Sequence, residues 1–207
     1  MSAKRRTAIL ISGRGSNMLA LIEAARDPNY PAEIALVVSN RADAPGLVTA
    51  KERGIATAVI DHKIYAGRDE FEKSLQVMLD LHRIDLIALA GFMRLLTAGF
   101  VQHWQGRMIN IHPSLLPAYR GLDTHARALA DRVKMHGCTV HFVVPAVDEG
   151  SIIAQAPVAV FDNDTEETLA ARVLEQEHRI YPWALAAVAS GAIEMRGDKV
   201  VVKGVDA

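Results

Sequence analysis

The sequence predicts an α/β fold with an open, twisted, mainly parallel sheet and helices on both faces. Short β-branched, apolar runs alternate with stretches of helical periodicity through the first half of the chain, which indicates strand–helix–strand crossovers. One run, at 86–90, is continuously apolar, as expected for a strand that is covered on both faces. In the second half, two strand-like runs around a polar loop predict antiparallel additions to the sheet.

Each element of the first half has its own signal. A strand at 7–11 leads into the glycine-rich turn 12–17, and apolar residues with helical spacing then continue to about Arg26. Gly54 lies where a helix over about 46–53 needs a C-terminal cap. The remaining predicted elements of this half are strands at 34–39, 56–60, 86–90 and 108–112 and a helix ending near residue 82.

The second half of the chain has a different pattern. The runs 138–144 and 153–160 predict two strands joined through the polar loop 148–150. Thr165 begins a helix with an imperfect capping box, because Thr168 stands where glutamate is usual. Pro182 is expected to bend or end this helix near residue 180. A closing hairpin is predicted from 193–195 and 199–202, and we expect one domain over residues 1–207.

Composition limits the possible functions. Half of the 207 residues are hydrophobic, and the formal net charge of -1 provides no strong field for nucleic acid or an anionic membrane. Cys138 is the one cysteine, so an intramolecular disulfide cannot form, and this suits a reducing compartment. No apolar run approaches the length of a membrane span, and no signal-peptide core follows the basic N-terminus. We therefore expect a cytoplasmic protein.

The segment Asn110-Ile111-His112-Pro113 presents two polar side chains at the end of an apolar strand. Pro113 cannot donate to a sheet ladder, so the strand is expected to end there. Side chains two apart on a strand point to the same face, which places the Asn110 amide beside the His112 imidazole. This pair suits a reaction in which negative charge builds on an oxygen while a proton moves. On this segment alone, a purely structural strand end is an equal alternative.

The turn Gly13-Arg14-Gly15-Ser16-Asn17 between the first strand and the first helix is a candidate anion site. Backbone N–H groups and the positive end of the helix dipole would point at one spot. Met18 replaces the third small residue of a dinucleotide fingerprint, and the Gly-Lys-Ser/Thr of a nucleoside-triphosphate loop is absent. We expect a terminal monophosphate, with capping of the helix by Ser16 or Asn17 as the alternative.

Several of these features should meet at one place. In an open α/β sheet, ligands bind beyond the carboxyl ends of the strands, where the glycine turn, the turn 91–94 and the pair Asn110 and His112 are all expected. Asp148 could reach the same edge and would then raise the pKa of His112. On sequence alone, a simple turn aspartate is the favoured interpretation of Asp148.

The other histidines and the cysteine do not predict a metal site. Strand alternation places His136 and Cys138 on one face and His141 on the other, which separates the potential ligands. We therefore expect no metal. Three further histidines are expected on solvated surfaces: His62, His82 and His103.

Four motifs occur in the order and at the spacing of a known family: ISGRGSN at 11–17, LAGFMR at 89–94, NIHPSLLP at 110–117 and QEHRIYP at 176–182. On these motifs, the chain resembles the phosphoribosylglycinamide formyltransferases, folate-dependent formyltransferases of purine biosynthesis, over about residues 7–181. The resemblance implies a Rossmann-like fold with a phosphate-binding half at about 7–105 and a catalytic and folate-binding half at about 106–207.

The resemblance implies transfer of the formyl group of 10-formyltetrahydrofolate to the amine of N1-(5-phosphoribosyl)glycinamide, which gives formylglycinamide ribonucleotide and tetrahydrofolate. Asn110 would donate to the oxygen of a tetrahedral intermediate. Protonated His112 would do the same and pass a proton toward the folate, while Asp148 would hold His112 in its charged form. The implied partners are these two small molecules, without metal, nucleic acid or membrane, in a monomer or homodimer.

The contacts that the resemblance implies fall into two groups. The ribonucleotide is expected on Gly15, Ser16 and Asn17, with Glu177 near its ribose. The folate is expected on residues from four parts of the chain: Arg68, Met93, Arg94, Leu95, Leu96, Asn110, Ala146 and Val147.

Three parts of the chain depart from the family pattern. Arg14 replaces a frequent Asn, which should matter little if the backbone binds the phosphate. Ser151 follows Asp148-Glu149-Gly150 where the family usually has Gly-Pro-Ile-Ile, so the loop should differ in stiffness. The segment 118–125 varies from the pattern and is expected to be a mobile loop near the site.

Other functions fit the sequence less well. A methionyl-tRNA formyltransferase would need a further C-terminal domain and a basic surface, and a formyltetrahydrofolate hydrolase would usually carry an extra N-terminal domain; we expect neither. A nucleotide-binding module without catalysis would have no reason to present Asn110, His112 and Asp148 together. The incomplete fingerprint disfavours an NAD-dependent reductase.

Overall fold

The computed structural model of the protein describes residues 3–204, and its centre is a seven-stranded sheet. The sheet strands are β1 (Arg5–Ile11), β2 (Ala32–Ser39), β3 (Thr57–Val59), β4 (Leu86–Leu89), β5 (Met108–His112), β6 (Met135–Phe142) and β7 (Ile152–Ala159). A separate hairpin is formed by β8 (Ile193–Arg196) and β9 (Lys199–Val202). The helices are α1 (Ser16–Ala24), α2 (Pro45–Glu52), α3 (Arg68–Leu81), α4 (Ala98–His103), α5 (Thr124–Ala130) and α6 (Glu166–Ala189).

The strand order is β3-β2-β1-β4-β5-β6-β7. The first five strands pair in parallel, whereas β6 and β7 add to the β5 edge in antiparallel orientation. This confirms the predicted α/β class, the mainly parallel sheet and the antiparallel additions. The carboxyl ends of β1, β4 and β5 therefore lie side by side at one edge.

Helices cover both faces of the sheet, as predicted. One apolar cluster packs α1, α2 and α6 on one face, and a second packs α3 and α4 on the other. Ile109 and Ile111 of β5 belong to the first cluster. Because side chains alternate along a strand, Asn110 and His112 point away from it, which is the orientation the sequence predicted. Among residues 3–204, no helix is long and apolar enough to cross a membrane.

The sequence analysis did not predict two short helices. Helices α4 and α5 have six and seven residues, which is less than the length over which helical periodicity can be recognised. Thr97 caps α4 by accepting a hydrogen bond from the N–H of Phe100. The last two residues of the predicted loop 118–125 lie in α5.

The expectation that Pro182 ends the last helix near residue 180 is wrong. Helix α6 continues to Ala189, although Pro182 removes one backbone donor. Tyr181 and Leu185 are fully buried on either side of the proline, so packing outweighs the lost hydrogen bond. The Thr165–Thr168 capping box forms despite the missing glutamate, and the closing hairpin is confirmed.

Candidate active site

The glycine turn and the turn after β4 enclose a cavity of about 470 Å³ at the carboxyl edge of the sheet. It is lined by three stretches of chain and one histidine: Ser12–Asn17, Asn40–Arg41, Ala90, Gly91, Met93, Arg94 and His62. His62 therefore contributes to the cavity wall and does not lie on an open surface, which corrects the expectation for this residue. Ligands of open α/β sheets bind at this edge, so this is the candidate substrate site.

The glycine turn forms the start of α1. Gly15 is the N-cap residue with φ 77°, and no side chain caps the helix, so capping by Ser16 or Asn17 is not observed. A Cβ atom on Gly15 would lie 3.3 Å from Cα of Gly46 and 3.0 Å from Met18, which adds a steric reason for glycine. The free N–H groups of the first turn and the helix dipole make this cavity wall suitable for an anion.

Glu177 of α6 reaches the same turn. Its Oε2 accepts a hydrogen bond of 2.7 Å from Nδ2 of Asn17, and the Glu177 side chain is buried. Burial raises the pKa of the Glu177 carboxyl, and the Asn17 amide opposes that shift. Oδ1 of Asn17 is buried and has no hydrogen-bond partner among the described residues. The glycine turn and the segment 176–182 thus meet in space through Asn17 and Glu177, which are 160 residues apart in sequence.

Asn110, His112 and Asp148 form one cluster beside this cavity. Nδ1 of His112 lies 3.4 Å from Oδ2 of Asp148, and the two side chains are 7% and 12% exposed. The interpretation of Asp148 as a simple turn residue is therefore wrong. Its carboxylate lies between two imidazoles, because Nε2 of His141 lies 3.7 Å from Oδ1.

His141 is the member of this cluster that the sequence analysis missed. The antiparallel pairing of β5 and β6 sets it directly opposite Asn110. Nδ1 of His141 is 2.8 Å from the carbonyl oxygen of Phe142 and must donate to it, so Nε2 can accept from Nδ2 of Asn110 at 3.2 Å. His141 thus fixes the orientation of the Asn110 amide. Strand alternation correctly separated His141 from Cys138, but the pairing with β5 was needed to see where it faces.

The protonation of His112 depends on opposing effects. Burial lowers the pKa of His112, while the Tyr119 carbonyl and the Asp148 carboxylate raise it. The pKa of His112 therefore lies below its ordinary value of 6.5, because burial is the largest contribution. Asp148 raises the pKa of His112, as predicted, but by less than burial lowers it. The pKa of Asp148 itself is lowered: burial raises it, but the contacts to His141, the Gly121 N–H and His112 outweigh burial.

A loop at 118–123 covers His112. Nε2 of His112 lies 2.9 Å from the carbonyl oxygen of Tyr119, and the N–H of Gly121 donates to Oδ2 of Asp148 at 2.9 Å. Arg120 of this loop forms an ion pair with Glu149, which follows Asp148. In this conformation the Tyr119 carbonyl of the loop is hydrogen-bonded to Nε2 of His112, the ring nitrogen that would face a substrate.

The residues expected to hold the folate are only partly brought together. Met93 and Arg94 line the cavity, and Met93, Leu95 and Val147 expose large apolar surfaces. Arg68 is the exposed first residue of α3. The cavity lining does not include the remaining expected contacts or catalytic residues: Arg68, Leu95, Leu96, Ala146, Val147, Glu177, Asn110, His112 and Asp148.

Cys138 is a buried free thiol. Burial raises the pKa of the Cys138 thiol to about 12, so it carries no thiolate at neutral pH. Within residues 3–204, no group of three His, Cys, Asp or Glu side chains is arranged to hold a metal ion. His136 is 1% exposed, and its ring packs against His125 and Tyr119 rather than against Cys138 and His141.

Comparison with known proteins places this geometry in a family. The family model described as formyl transferase matches residues 5–185. Phosphoribosylglycinamide formyltransferase of Escherichia coli is 42% identical over 95% of this chain and 92% of its own length. The solved structure of a phosphoribosylglycinamide formyltransferase from Coxiella burnetii has a TM-score of 0.92 and 45% identity, and covers 97% of this chain and 94% of that one.

A longer relative matches as well. The human trifunctional purine biosynthetic protein adenosine-3 is 50% identical over 93% of this chain, and the chain spans 19% of that protein. The match to the E. coli protein, by contrast, extends over nearly the whole of both chains. The chain therefore belongs to the formyl transferase family, and within that family to the phosphoribosylglycinamide formyltransferases.

Proposed function

We propose that this protein transfers the formyl group of 10-formyltetrahydrofolate to the amine of N1-(5-phosphoribosyl)glycinamide, as a step of purine biosynthesis. The observation that carries the proposal is the cluster of Asn110, His112 and Asp148 beside an anion-binding helix start. Family membership supplies the reaction class, and the cluster has the groups that this reaction needs.

The ribonucleotide would occupy the cavity. Its phosphate would accept hydrogen bonds from the free N–H groups of Gly15, Ser16 and Asn17 at the positive end of α1. Glu177 holds the side chain of Asn17 at the start of α1, close to where the ribose would lie. This arrangement points the amine end of the substrate away from α1, toward β5.

The folate would lie across the carboxyl end of β4. The exposed side chains of Met93, Leu95 and Val147 offer apolar surface to a flat ring system. Arg68 and Arg94 match the carboxylates of the folate tail in charge. Three further expected contacts lie beside these residues in the sequence or next to β4 in the sheet: Leu96, Ala146 and Asn110.

The chemistry would be direct acyl transfer. The amine attacks the formyl carbon, and the carbonyl oxygen becomes an oxyanion in a tetrahedral intermediate. Nδ2 of Asn110 has one N–H directed at His141 and a second that can donate to this oxygen. When the bond between carbon and the folate nitrogen breaks, that nitrogen takes a proton and the attacking amine loses one. His112 would move this proton, and no covalent bond to the enzyme is needed.

Asp148 would keep His112 competent for proton transfer. A carboxylate 3.4 Å from Nδ1 stabilises the imidazolium once the ring is protonated. His141 would hold the Asn110 amide, and its ring lies on the other side of the carboxylate. We further propose a single catalytic domain that works in the cytoplasm without a metal, and either a monomer or a homodimer, which sedimentation would distinguish.

One assay tests the proposal. Purified protein is mixed with 10-formyltetrahydrofolate, with and without the glycinamide ribonucleotide, and the loss of formyl-folate absorbance is recorded. We expect loss only when both substrates are present, together with formation of formylglycinamide ribonucleotide. Loss without the ribonucleotide would instead identify a hydrolase, and no loss in either mixture would reject the proposed reaction.

A further inference from the structure

The residues between β4 and α4, here called the 91–97 segment, have no regular secondary structure. The segment carries Met93 to Leu96, which the proposed function assigns to the folate. Within residues 3–204, the peptide groups of Arg94, Leu95 and Leu96 make no backbone hydrogen bond. Phe92 and Leu96 pack against the core, and hydrogen bonds hold the segment near its two ends.

Ser12 fixes the first end. Its backbone N–H donates to the carbonyl of Gly91 at 3.1 Å, and its Oγ accepts from the N–H of Met93 at 2.8 Å. The Ser12 hydroxyl proton is directed at Oδ1 of Asn40, at 2.5 Å, and both side chains are buried. Because the hydroxyl has a single proton, this bond leaves a lone pair of Oγ directed at Met93.

The orientation of Asn40 is fixed in turn. Its Nδ2 lies 3.1 Å from Nδ1 of His62, and the same ring nitrogen is 3.1 Å from the Asn40 carbonyl oxygen. When Nδ1 of His62 accepts from Nδ2 of Asn40, it cannot also donate to the Asn40 carbonyl, and Oδ1 of Asn40 faces Ser12. Three polar side chains that follow β1, β2 and β3 thus form a chain that ends on the Met93 amide.

Glu72 fixes the second end. It lies on α3 and is 5% exposed, yet both of its carboxylate oxygens accept from Thr97: Oε1 from the backbone N–H at 2.6 Å, and Oε2 from the hydroxyl. One residue earlier on α3, the ring of Phe71 stacks on Phe92 with centroids 6.5 Å apart. Arg68, a proposed folate contact, lies one turn before Glu72 on the same helix.

Burying a carboxylate is unfavourable for folding unless the buried group is well bonded. Glu72 uses both carboxylate oxygens on Thr97, the residue at which the segment enters α4. Ser12 bonds the opposite end through its backbone N–H and its Oγ. The residues that would touch the ligand lie between these two contacts.

We propose that Ser12 and Glu72 are positioning residues for the formyl-folate, which hold the 91–97 segment in the position where the folate binds. This inference rests on the proposed function. Neither side chain touches the reacting atoms. Loss of Glu72 would therefore weaken folate binding and leave the ribonucleotide cavity and the proton-transfer cluster intact, because Glu72 lines neither. Ser12 also lines the cavity, so only its effect on folate binding tests the role.

The test compares four variants in steady-state kinetics with both substrates varied: Ser12→Ala, Glu72→Gln, Thr97→Val and Thr97→Ser. Loss of one buried hydrogen bond should raise KM for 10-formyltetrahydrofolate about tenfold in the first three. In Glu72→Gln and Thr97→Val, we expect kcat and KM for the ribonucleotide to change less than about threefold. Thr97→Ser keeps the hydroxyl, so it should restore a KM near that of the wild type.

Ser39→Ala provides a matched control. Ser39 is a buried serine at the end of β2 whose Oγ accepts from the N–H of Arg41, and it has no bond to the 91–97 segment. The KM of the Ser39→Ala variant for the folate should equal that of the wild type. Equilibrium dialysis with 10-formyltetrahydrofolate measures binding without turnover, and thermal melts show that each variant is folded at the assay temperature.

The outcomes separate this inference from the proposed function. An inactive wild type that binds no formyl-folate would reject the function. An active wild type with folded variants that keep the wild-type KM for the folate would reject the positioning role. The role would also be rejected if both KM values and kcat changed equally, or if Thr97→Ser behaved like Thr97→Val.

Discussion

At the scale of single residues, the candidate mechanism depends on the surroundings of Asn110 and His112. His141 directs one N–H of the Asn110 amide away from the reaction, and Asp148 faces Nδ1 of His112. In the proposed mechanism, the two residues therefore have separable tasks: a neutral donor to the oxyanion and a group that moves a proton.

Removing either side chain should abolish most of the activity. Loss of one oxyanion donor typically lowers turnover by about a hundred- to a thousandfold, so Asn110→Ala and His112→Ala should each lower kcat by at least that factor. Binding of the ribonucleotide, measured by dialysis, should be nearly unchanged, because its phosphate site is at α1. Near-normal kcat in either variant would contradict the assigned roles.

Asp148→Asn should change the pH dependence of the reaction. The Asp148 carboxylate raises the pKa of His112, and burial lowers it further than Asp148 can restore. Without the carboxylate the pKa of His112 falls, so the protonated form is lost at a lower pH. We expect the limb of kcat/KM that falls with rising pH to move to lower pH. An unchanged pH profile with reduced activity would show that Asp148 acts through geometry alone.

At the scale of elements, the loop 118–123 and the loop around Asp148 close over His112 together. Nε2 of His112 is hydrogen-bonded to the Tyr119 carbonyl. The loop 118–123 must therefore move before a substrate can bind to that nitrogen. The ion pair of Arg120 with Glu149 is the exposed connection between the two loops. Exposed ion pairs stabilise by at most about 1 kcal/mol, which is enough to bias a loop but not to lock it.

Breaking that ion pair should favour the open loop. Arg120→Ala, Glu149→Ala and the double variant should each raise kcat/KM by up to about fivefold, without additivity, because one interaction is lost in all three. High salt should raise the wild-type value more than that of the variants. Lys134→Ala breaks the exposed pair with Asp162 elsewhere and serves as the control. A fall in kcat/KM would instead show that the closed loop is the reactive state.

At the scale of the whole molecule, buried neutral histidines make folding sensitive to acid. His136 packs against Tyr119 and His125, and its Nε2 has no partner among the described residues. Burial is the largest cause that lowers the pKa of His136 from 6.5 to about 4. Between these two values the unfolded chain takes up a proton that the folded protein does not. Stability is therefore complete above pH 6.5 and falls as the pH decreases toward 4.

Replacing His136 should reduce the loss of folding stability at acidic pH. The difference between 6.5 and about 4 corresponds to about 3 kcal/mol of folding free energy. Urea unfolding of wild type, His136→Phe and His136→Gln at about pH 7.5 and about pH 4.5 should show a smaller acid loss in the variants, by up to that amount. His103→Gln, at an exposed position, should keep the wild-type loss. Equal losses in all four proteins would exclude His136 as the acid-sensitive group.

The sequence predicted elements with strong local signals and missed those without them. The sheet strands and helices α1, α2, α3 and α6 have apolar periodicity within one window of residues. Helices α4 and α5 are too short for such a signal, and the end of α6 was wrong because burial of Tyr181 and Leu185 outweighs the local effect of Pro182.

By itself, the sequence determined the class of fold, the glycine turn at the start of α1 and the side-by-side placement of Asn110 and His112, because these follow from neighbours in the chain. Only the tertiary structure decided that His141 faces Asn110, that Asp148 lies against His112, and that Tyr119 covers it. These contacts join residues 7 to 36 positions apart through strand pairing and loop closure. Local periodicity carries no information about such distances, so the catalytic surroundings were decided by how the elements pack.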